Sequence, residues 1–348
     1  MDRPSPSRDI LEMMARTRDL WEQLRGKSLF ITGGTGFFGR WLLESFAHAN
    51  RELDLNLKVV VLTRDIDEFC RKAPHLALDP AIRFHEGDVT TFAFPSGTFT
   101  HIIHAAATSA DETFKGEDPL RKFDTLVRGT RRTLEFAADC ETQRFLFASS
   151  GVAYGVAPPG MASIPESFSG APDTLDVDSA LGHGKRSAEF LCAYFAAKHG
   201  WDLSVARCFS FVGPFLPLDI HYAIGNFIKQ ANENQEIIVK GDGTPLRSYL
   251  YMADLIAWLL TLLLKAPPGQ IFNVGSDQAI SIRDLAHLVR DVLCPGKPVR
   301  ILGEQAYSVG NAVRSHYVPD ISKARNALGL DVWTPLEEAI RRTSMASV

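Results

Sequence analysis

The chain has 348 residues, of which 45% are hydrophobic and 22% are charged, the ordinary balance of a folded globular protein. Its formal net charge is -4 at pH 7 and its lysines and arginines form no block, which argues against a nucleic-acid partner. Any anion that this chain binds must therefore be held by a few well-placed donors.

Cysteine usage and hydrophobic runs bear on where the protein works. The five cysteines are odd in number, widely spaced and contain no CxxC pair, so we expect neither a disulfide framework nor a metal site. The longest apolar run, residues 255–264, is far shorter than the roughly 20 residues that a membrane span needs. The N-terminus carries charges where a signal peptide needs an apolar stretch. We therefore expect a cytoplasmic protein with no membrane partner.

The spacing of hydrophobic residues predicts an α/β fold. Residues 1–26 are predicted to form a helical extension that packs on the main domain or on a second subunit. In residues 27–208, strands alternate with helices, which predicts a doubly wound parallel sheet of the Rossmann type. Residues 209–348 are predicted to form most of a smaller C-terminal substrate-binding lobe, in segments interleaved with the Rossmann domain. The predicted strands are 28–33, 58–64, 83–89, 99–107, 144–150 and 202–209, and the predicted helices are 37–49, 119–140, 180–199, 221–233, 252–265 and 281–293.

The first predicted strand runs directly into a glycine-rich turn, ITGGTGFFGRW. Gly34, Gly36 and Gly39 satisfy the pattern GxGxxG, and Gly33, Gly36 and Gly39 satisfy GxxGxxG. Glycines here allow a tight turn, let backbone N–H groups approach a pyrophosphate and let the following helix pack closely on the strand. In this context the turn predicts a dinucleotide site rather than a purely structural bend.

The end of the second predicted strand bears on the choice between NAD and NADP. An acidic residue there would bind the ribose 2′-hydroxyl of NAD, but Thr63 occupies that position and Arg64 follows it. An arginine can neutralise the 2′-phosphate of NADP, which marginally favours NADP. Alternatively, Arg64 is solvated or lies over the adenine, and Asp65 serves NAD. Asp88 follows the third strand and either accepts from the adenine amino group or is a simple turn residue.

Several ordered motifs together resemble the extended short-chain dehydrogenase/reductase family, specifically its nucleotide-sugar epimerases, dehydratases and decarboxylases. The resemblance runs from about residue 27 to the C-terminus. The motifs are GGTGFFG (33–39), GDV (87–89), HAAA (104–107), SSGVAYG (149–155), GKRSAE (184–189), FVGP (211–214), GDGTPLRSYLYMADL (241–255) and FNVGS (272–276). The resemblance implies a Rossmann fold and a set of cofactor contacts. The implied contacts are Gly33, Gly36, Phe37, Phe38, Gly39, Arg64, Asp88, Val89, Ala105, Ala106 and Lys185.

The resemblance also implies the catalytic groups. In this family a serine or threonine and a tyrosine contact a sugar hydroxyl, and the tyrosine takes its proton as hydride leaves for the nicotinamide. A lysine four residues after the tyrosine binds the cofactor ribose and lowers the pKa of the tyrosine. Ser150 matches the serine and Lys185 matches the lysine, but Leu181 stands at the tyrosine position. Leucine has no proton to exchange, so the usual acid/base group is missing.

Nearby residues are candidate replacements for the missing group. Tyr154 follows the strand that carries Ser150 and is retained as a catalytic candidate, although its default role in relatives is structural. Helical geometry points His183 away from the site, so it is expected to be a surface or interface histidine. Some dehydratases of the superfamily use an acidic/basic pair just after the serine, but Gly151 and Val152 stand there. Ser150 itself or a bound water also remains a candidate for proton removal.

The resemblance implies a diphosphate clamp on the substrate side. Arg247 and Arg314 match two family arginines that hold the substrate diphosphate, and paired guanidiniums suit a pyrophosphate. The alternative for each is a surface salt bridge. Ser210 stands where relatives have an asparagine that contacts the ligand. Together with Ser150, these are the predicted substrate-binding residues.

The leading hypothesis is an NAD- or NADP-dependent enzyme that modifies a nucleotide-diphosphosugar through a 4-keto intermediate, as an epimerase, dehydratase or decarboxylase. Two alternatives stay open: a sugar-nucleotide-binding protein that has lost redox turnover, and a one-way ketoreductase in which water supplies the proton. The family also implies a homodimer formed through two long helices, here residues 119–140 and 180–199.

Overall fold

The computed structural model describes residues 7–107, 112, 116–220, 222–233, 236–303 and 315–346. The helices in these ranges are α1 Ser7–Arg16, α2 Arg18–Glu22, α3 Phe37–Leu53, α4 Ile66–Lys72, α5 Pro74–Ala77, α6 Pro119–Asp139, α7 Ala180–His199, α8 Ala223–Asn232, α9 Met252–Lys265, α10 Ile282–Leu293, α11 Ser322–Leu328 and α12 Leu336–Met345, with 3₁₀ turns at Gly151–Tyr154 and Val177–Ser179. The strands are β1 Ser28–Thr32, β2 Lys58–Thr63, β3 Ile82–Glu86, β4 His101–His104, β5 Arg144–Ser150, β6 Asp202–Cys208, β7 Phe211–Val212, β8 Ile237–Val239, β9 Leu246–Arg247, β10 Leu250–Tyr251, β11 Gln270–Val274, β12 Ile280–Ser281, β13 Val299–Ile301 and β14 His316–Tyr317.

A parallel sheet organises the molecule. Seven strands of the described ranges lie in the order β11-β6-β5-β4-β1-β2-β3, and every pairing between neighbours is parallel. The order reverses at β1, which creates the crevice where ligands bind in doubly wound folds. The predicted Rossmann fold is confirmed. Strand β11 comes from residues 209–348 and pairs with β6, so the C-terminal part of the chain does contribute a segment to this sheet.

Both faces of the sheet are buried, as a parallel sheet requires. Successive side chains on a strand point to opposite faces. In β1, Leu29 and Ile31 therefore enter one hydrophobic core with α3 and α9, while Phe30 enters a second core with α6 and α7. The apolar run of residues 255–264 lies in α9, a helix whose side chains are buried along its length up to Leu264. Among the described residues, no helix combines the length and the apolar character needed to cross a membrane.

The N-terminal helices α1 and α2 pack on the main body of the same chain. Helix α1 contacts α3 and α9, and its apolar side chains belong to the larger core. The Tyr251 hydroxyl donates to Asp9 Oδ2 at 2.6 Å. Arg342 of α12 forms ion pairs with Asp9 and with Glu12. This polar cluster ties the N-terminal segment to the C-terminal helix.

Short strands build the part of the chain that follows β6. Strands β9, β12 and β14 form one small sheet with β9 in the middle, while β7 pairs with β10 and β8 with β13. These strands are two or three residues long. A strand this short shows no alternating pattern in a sequence, which is why the sequence did not predict them.

Candidate active site

The glycine turn between β1 and α3 is shaped for close backbone approach. Gly33 has φ +74°, and a Cβ there would lie 2.6 Å from the carbonyl oxygen of Ala105. A Cβ on Gly39 would lie 2.2 Å from the carbonyl carbon of Gly34, so only glycine lets α3 pack this closely on the turn. Gly33 and Gly39 are therefore required by the packing of the protein's own backbone.

Gly36 is different because its Cα faces open space. It is exposed, it is the N-cap of α3, and no side chain caps the helix there. A Cβ at Gly36 would approach nothing closer than the Gly33 carbonyl oxygen at 3.5 Å. The turn thus leaves room, and uncapped backbone donors, for a phosphate group at the helix N-terminus. This geometry fits a dinucleotide pyrophosphate.

Two aromatic residues begin α3 beside the turn. Phe37 and Phe38 are half-buried, and the ring of Phe38 meets the ring of Phe211 edge to face at 4.9 Å. Phe211 belongs to β7, just after the Rossmann strands. The predicted cofactor residues Phe37 and Phe38 therefore lie where the two parts of the chain meet.

A buried histidine fixes the ends of β1 and β4. The Ala106 N–H donates to Thr32 Oγ1 at 3.1 Å, and that hydroxyl also contacts His104 Nδ1 at 2.6 Å. His104 Nε2 contacts Thr130 Oγ1 of α6 at 2.9 Å. Burial lowers the pKa of His104 to about 3, so the ring is neutral. The backbone of Ala105 and Ala106 is thereby held against Gly33.

The predicted adenine end of the cofactor site contains Arg64, Asp88 and Val89. Arg64 Nη1 lies 2.9 Å from Glu112 Oε1, and this hydrogen bond raises the pKa of the guanidinium. Asp88 Oδ1 accepts from the backbone N–H of Thr90 at 2.8 Å, which is a turn contact. Val89 lies against Gly129 of α6, where an added Cβ would come within 2.8 Å of it.

Lys185 is buried in α7 below the carboxyl end of β5. Its Nζ donates to the carbonyl oxygen of Ala148 at 2.6 Å and lies 4.8 Å from the centre of the Phe147 ring. Burial lowers the pKa of Lys185 to about 8. Leu181 lies one helical turn earlier and is half-buried in an apolar cluster. The sequence correctly placed both residues on one helix.

Ser150 meets a tyrosine that sequence reasoning missed. Its Oγ lies 3.4 Å from the hydroxyl oxygen of Tyr317, and it accepts from the Val152 N–H at 3.3 Å. Tyr317 lies in β14, 167 residues further along the chain. The sequence signal was faint: Tyr317 follows shortly after the predicted clamp residue Arg314, with no motif of its own.

Tyr154 does not join this pair. It is fully buried, and its hydroxyl donates to Asn273 Oδ1 at 2.8 Å. The Arg207 guanidinium lies 4.2 Å above its ring. Burial raises the pKa of Tyr154, and the bond to Asn273 keeps its hydroxyl away from Ser150. This geometry supports the structural role and gives no support to Tyr154 as the acid/base group. His183 is partly exposed, with Nε2 2.9 Å from the Asp173 carbonyl oxygen.

The predicted substrate residues lie partly within the described chain. Arg247 is half-buried in β9, and its register partner in β14 is Tyr317. Ser210 lies just before β7, and its carbonyl oxygen accepts from the Leu250 N–H at 3.0 Å. Arg314 lies outside the described residues. The fold thus brings Ser150, Tyr317 and Arg247 together through β14, a link that the sequence did not predict.

A buried ion pair supports β5 from below. Arg207 and Glu189 form two hydrogen bonds, of 2.9 and 2.6 Å, and the Ser149 hydroxyl donates to the same carboxylate at 2.5 Å. The pair joins β5, β6 and α7 just beneath Ser150. In the described ranges, no group of three or more His, Cys, Asp or Glu side chains could hold a metal ion.

Comparison with known proteins identifies the family. Residues 29–275 match the model of the NAD dependent epimerase/dehydratase family, and the chain belongs to that family. It is 28% identical over 312 residues to UDP-glucuronic acid decarboxylase 6 of Arabidopsis thaliana, covering 90% of this chain and 86% of the relative. It is 26% identical to UDP-glucuronic acid decarboxylase 1 of Xenopus tropicalis, covering 91% of this chain and 71% of the relative.

Solved structures with the same fold are similar along most of the chain. UDP-glucuronic acid 4-epimerase from Bacillus cereus, in complex with UDP-glucuronic acid and NAD, superposes with a TM-score of 0.75 at 21% identity and covers 91% of this chain and 98% of its own. UDP-glucose 4-epimerase from Thermotoga maritima superposes with a TM-score of 0.73 at 21% identity and covers 92% and 98%. The predicted family and fold are thus confirmed.

Proposed function

We propose that this protein is an NAD-dependent enzyme that oxidises a UDP-sugar at C4 and then decarboxylates or epimerises it. The observation that carries the proposal is the convergence of three features at the carboxyl edge of the sheet. These are the open N-cap at Gly36, the buried Lys185 beneath β5, and the hydroxyl of Ser150 next to the small sheet that carries Arg247.

The residues of the turn fit the cofactor that the family uses. Gly36 leaves backbone donors open for the pyrophosphate, and Ala105 and Ala106 lie beside the turn at the next strand end. Lys185, near Ser150 at the end of β5, would hydrogen-bond the ribose and supply positive charge below the reacting sugar. When bound, the nicotinamide ring accepts hydride from the sugar carbon. Ser150 then orients the sugar hydroxyl, and Arg247 holds the diphosphate with Ser210 beside the sugar.

We propose NAD rather than NADP as the resident cofactor. The marginal preference for NADP expected from Arg64 requires that its guanidinium can pair with the 2′-phosphate. Arg64 is instead ion-paired with Glu112, and Asp88 and Glu117 lie close enough to interact with the same charge. A 2′-phosphate would have to compete with these carboxylates. We expect the protein to bind NAD at least about tenfold more tightly than NADP, measured by calorimetry, a difference of about 1.4 kcal/mol.

The substrate class follows from the same site and from the relatives. Once C4 is a ketone, the hydrogen on C5 becomes acidic, and a carboxylate at C6 becomes a β-keto acid that loses carbon dioxide readily. UDP-glucuronic acid is therefore the first substrate to test, because it can report both outcomes. We further propose that residues 209–348 form the lobe that holds the nucleotide, with the small β9-β12-β14 sheet at its centre.

The test is product analysis with purified protein, NAD and UDP-glucuronic acid, UDP-glucose or UDP-N-acetylglucosamine in turn. We expect a UDP-pentose with release of carbon dioxide, or the C4 epimer, detected by mass spectrometry and NMR. Many turnovers without added oxidant are expected, because the cofactor returns its hydride. If all three UDP-sugars bind and none is changed, the proposal is wrong.

A second candidate function is favoured by one observation. Leu181 removes the usual proton-transfer group while the cofactor turn and Lys185 remain, as expected of a sugar-nucleotide-binding protein without turnover. Micromolar binding of UDP-sugar and NAD, without product and without reduced cofactor at 340 nm, would identify this function instead.

We propose that the protein is a homodimer that joins through α6 and α7. The support is a set of large apolar side chains exposed on these two packed helices, namely Leu120, Phe190 and Tyr194. Light scattering of the purified protein tests this. We retain a cytoplasmic location as a proposal, supported by five cysteines that are all free thiols.

A further inference from the structure

The first turn of α7 presents a leucine where the reaction needs an ionisable group. Leu181 and Lys185 are one helical turn apart and so lie on the same face of α7. Leu181 packs in an apolar cluster that includes Phe209 and Tyr317. A proton-transfer group that serves this site must therefore reach it from another element, next to the apolar surface that Leu181 provides.

Tyr317 reaches this position from the other side of the cleft. Its hydroxyl oxygen lies 3.4 Å from Ser150 Oγ, and its ring packs on Phe209 with 4.7 Å between ring centres. The residue is 9% exposed, so its ring is held by packing. Ser150 accepts from the Val152 N–H, which fixes the serine oxygen at the end of β5. Two hydroxyls this close can both contact one oxygen of a bound ligand.

The strand that carries Tyr317 also connects it to the substrate clamp. Strands β14 and β9 are parallel, and Tyr317 is the register partner of Arg247. Register partners in neighbouring parallel strands lie about 4.8 Å apart and their side chains project from the same face of the sheet. A diphosphate held by Arg247 would therefore place the attached sugar near Tyr317. A cation on this face also favours negative charge on a nearby oxygen.

We propose that Tyr317 is the acid/base residue of this enzyme and that it acts with Ser150 in place of the tyrosine that is absent at position 181. The inference rests on the proposed function. The phenolate oxygen of Tyr317 takes the proton of the sugar hydroxyl while the adjoining C–H bond breaks and its electron pair leaves as hydride to NAD. The sugar carbon becomes a ketone and Tyr317 becomes a phenol. When a ketone is reduced, Tyr317 returns its proton to the new hydroxyl.

Two other buried tyrosines, Tyr154 and Tyr251, have different hydrogen-bond partners. The Tyr154 hydroxyl donates a hydrogen bond to Asn273 Oδ1. The Tyr251 hydroxyl donates to Asp9 Oδ2 in α1, and its ring meets the ring of Trp41 in α3. Tyr251→Phe is thus a matched control, since it also removes one hydroxyl from a buried ring without touching the cleft.

The experiment compares wild type, Tyr317→Phe and Tyr251→Phe with UDP-glucuronic acid and NAD. Because Tyr317→Phe removes only the proton-transfer atom, we expect kcat to fall about 10²- to 10⁴-fold while KM and the calorimetric Kd for the UDP-sugar change less than about threefold. The ionisation that governs the rise of kcat with pH should disappear in this variant. Tyr251→Phe should lower the melting temperature and keep kcat and its pH profile.

A readout without turnover comes from a crystal structure of the wild type with UDP-glucuronic acid. We expect the Tyr317 oxygen within about 3.2 Å of the C4 hydroxyl, a hydrogen-bond distance. A separation beyond about 4 Å overturns the assignment, as does a Tyr317→Phe variant with wild-type kcat and pH profile; either result leaves the proposed function intact. A wild type that forms neither product nor reduced cofactor overturns the proposed function, and with it this role.

Discussion

The two sides of the cleft are built in different ways. The side proposed to hold the cofactor, called the cofactor side here, is formed by the ends of β1, β4 and β5, in a sheet buried on both faces. Its main feature is the backbone of residues 33–39. The side proposed to hold the substrate, called the substrate side here, is the β9-β12-β14 sheet, whose strands have two residues each. One side is a rigid backbone surface and the other is a set of side chains brought together by tertiary contacts.

This difference suits the proposal that Leu181 stands at the tyrosine position while the glycine turn is complete. The backbone of the turn tolerates few changes, because Gly33 and Gly39 are each packed against another backbone segment. A hydroxyl can be supplied by any element that reaches the same point. We therefore expect changes on the cofactor side to alter folding and cofactor affinity, and changes on the substrate side to alter turnover.

The largest expected effect on stability is at the buried ion pair under β5. Glu189→Gln leaves the Arg207 guanidinium buried without a counter-charge, because the two side chains are only 10% and 8% exposed. We expect the free energy of unfolding to fall by about 3–5 kcal/mol, measured by urea denaturation. The matched control is Asp331→Asn, at an exposed ion pair near the C-terminus. Its ion pair with Arg325 has a similar length of 2.7 Å, but the side chains are 48% and 39% exposed. This control should lower the free energy of unfolding by at most about 1 kcal/mol. Equal losses in Glu189→Gln and Asp331→Asn would contradict the expected difference between the buried and the exposed ion pair.

The glycine turn allows folding and cofactor binding to be separated. Gly33→Ala combines a positive φ with a Cβ that meets the Ala105 carbonyl, so we expect a loss of about 2–4 kcal/mol in the free energy of unfolding. Gly160→Ala has a positive φ and no atom within 4 Å, and should lower the free energy of unfolding by about 1 kcal/mol.

Gly36→Ala should fold like the wild type but bind NAD about 10- to 100-fold more weakly, because the new methyl group occupies the phosphate position. If Gly36→Ala binds NAD as tightly as the wild type, the pyrophosphate does not lie at Gly36.

A smaller effect is the pH dependence that His104 adds to the cofactor side. Its folded pKa is about 3 and its ordinary value is 6.5, so between these values the unfolded chain binds a proton that the folded chain does not. Stability is therefore lost as pH falls below 6.5, by about 1.4 kcal/mol per pH unit from this group. His104→Gln should remove this slope, measured by urea denaturation from pH 7 to pH 5.

His101 on the same strand is the control for that measurement. Burial also lowers its pKa, to about 4, but its ring contacts Thr100 and not the glycine turn. His101→Gln should remove a similar slope and keep the NAD affinity. His104→Gln should weaken NAD binding as well, since Thr32 and Ala106 lose their common support. An identical effect of both variants on NAD affinity would argue against His104 as a support of the turn.

Much of the cofactor side could be predicted from local patterns. The helix predicted at 180–199 has these bounds in the structure, and the strand predicted at 144–150 is β5. Leu181 and Lys185 both lie in this predicted helix, where residues four apart share a face. The candidate role of Tyr154 could not be judged in this way. Its hydroxyl is occupied by Asn273, a residue 119 positions away, which no local pattern reveals.

The sequence alone determined the glycine turn, the order of the strands and long helices in the Rossmann half, and the leucine at position 181, where the resemblance implies a tyrosine. These depend on the spacing of residues within one element or across one turn, where backbone geometry fixes which residues are neighbours. Only the tertiary structure decided that Arg64 is paired with Glu112 and that Tyr317 meets Ser150 from 167 residues away. Such contacts depend on the path of the whole chain, because packing between distant segments chooses which side chain reaches the reacting atoms.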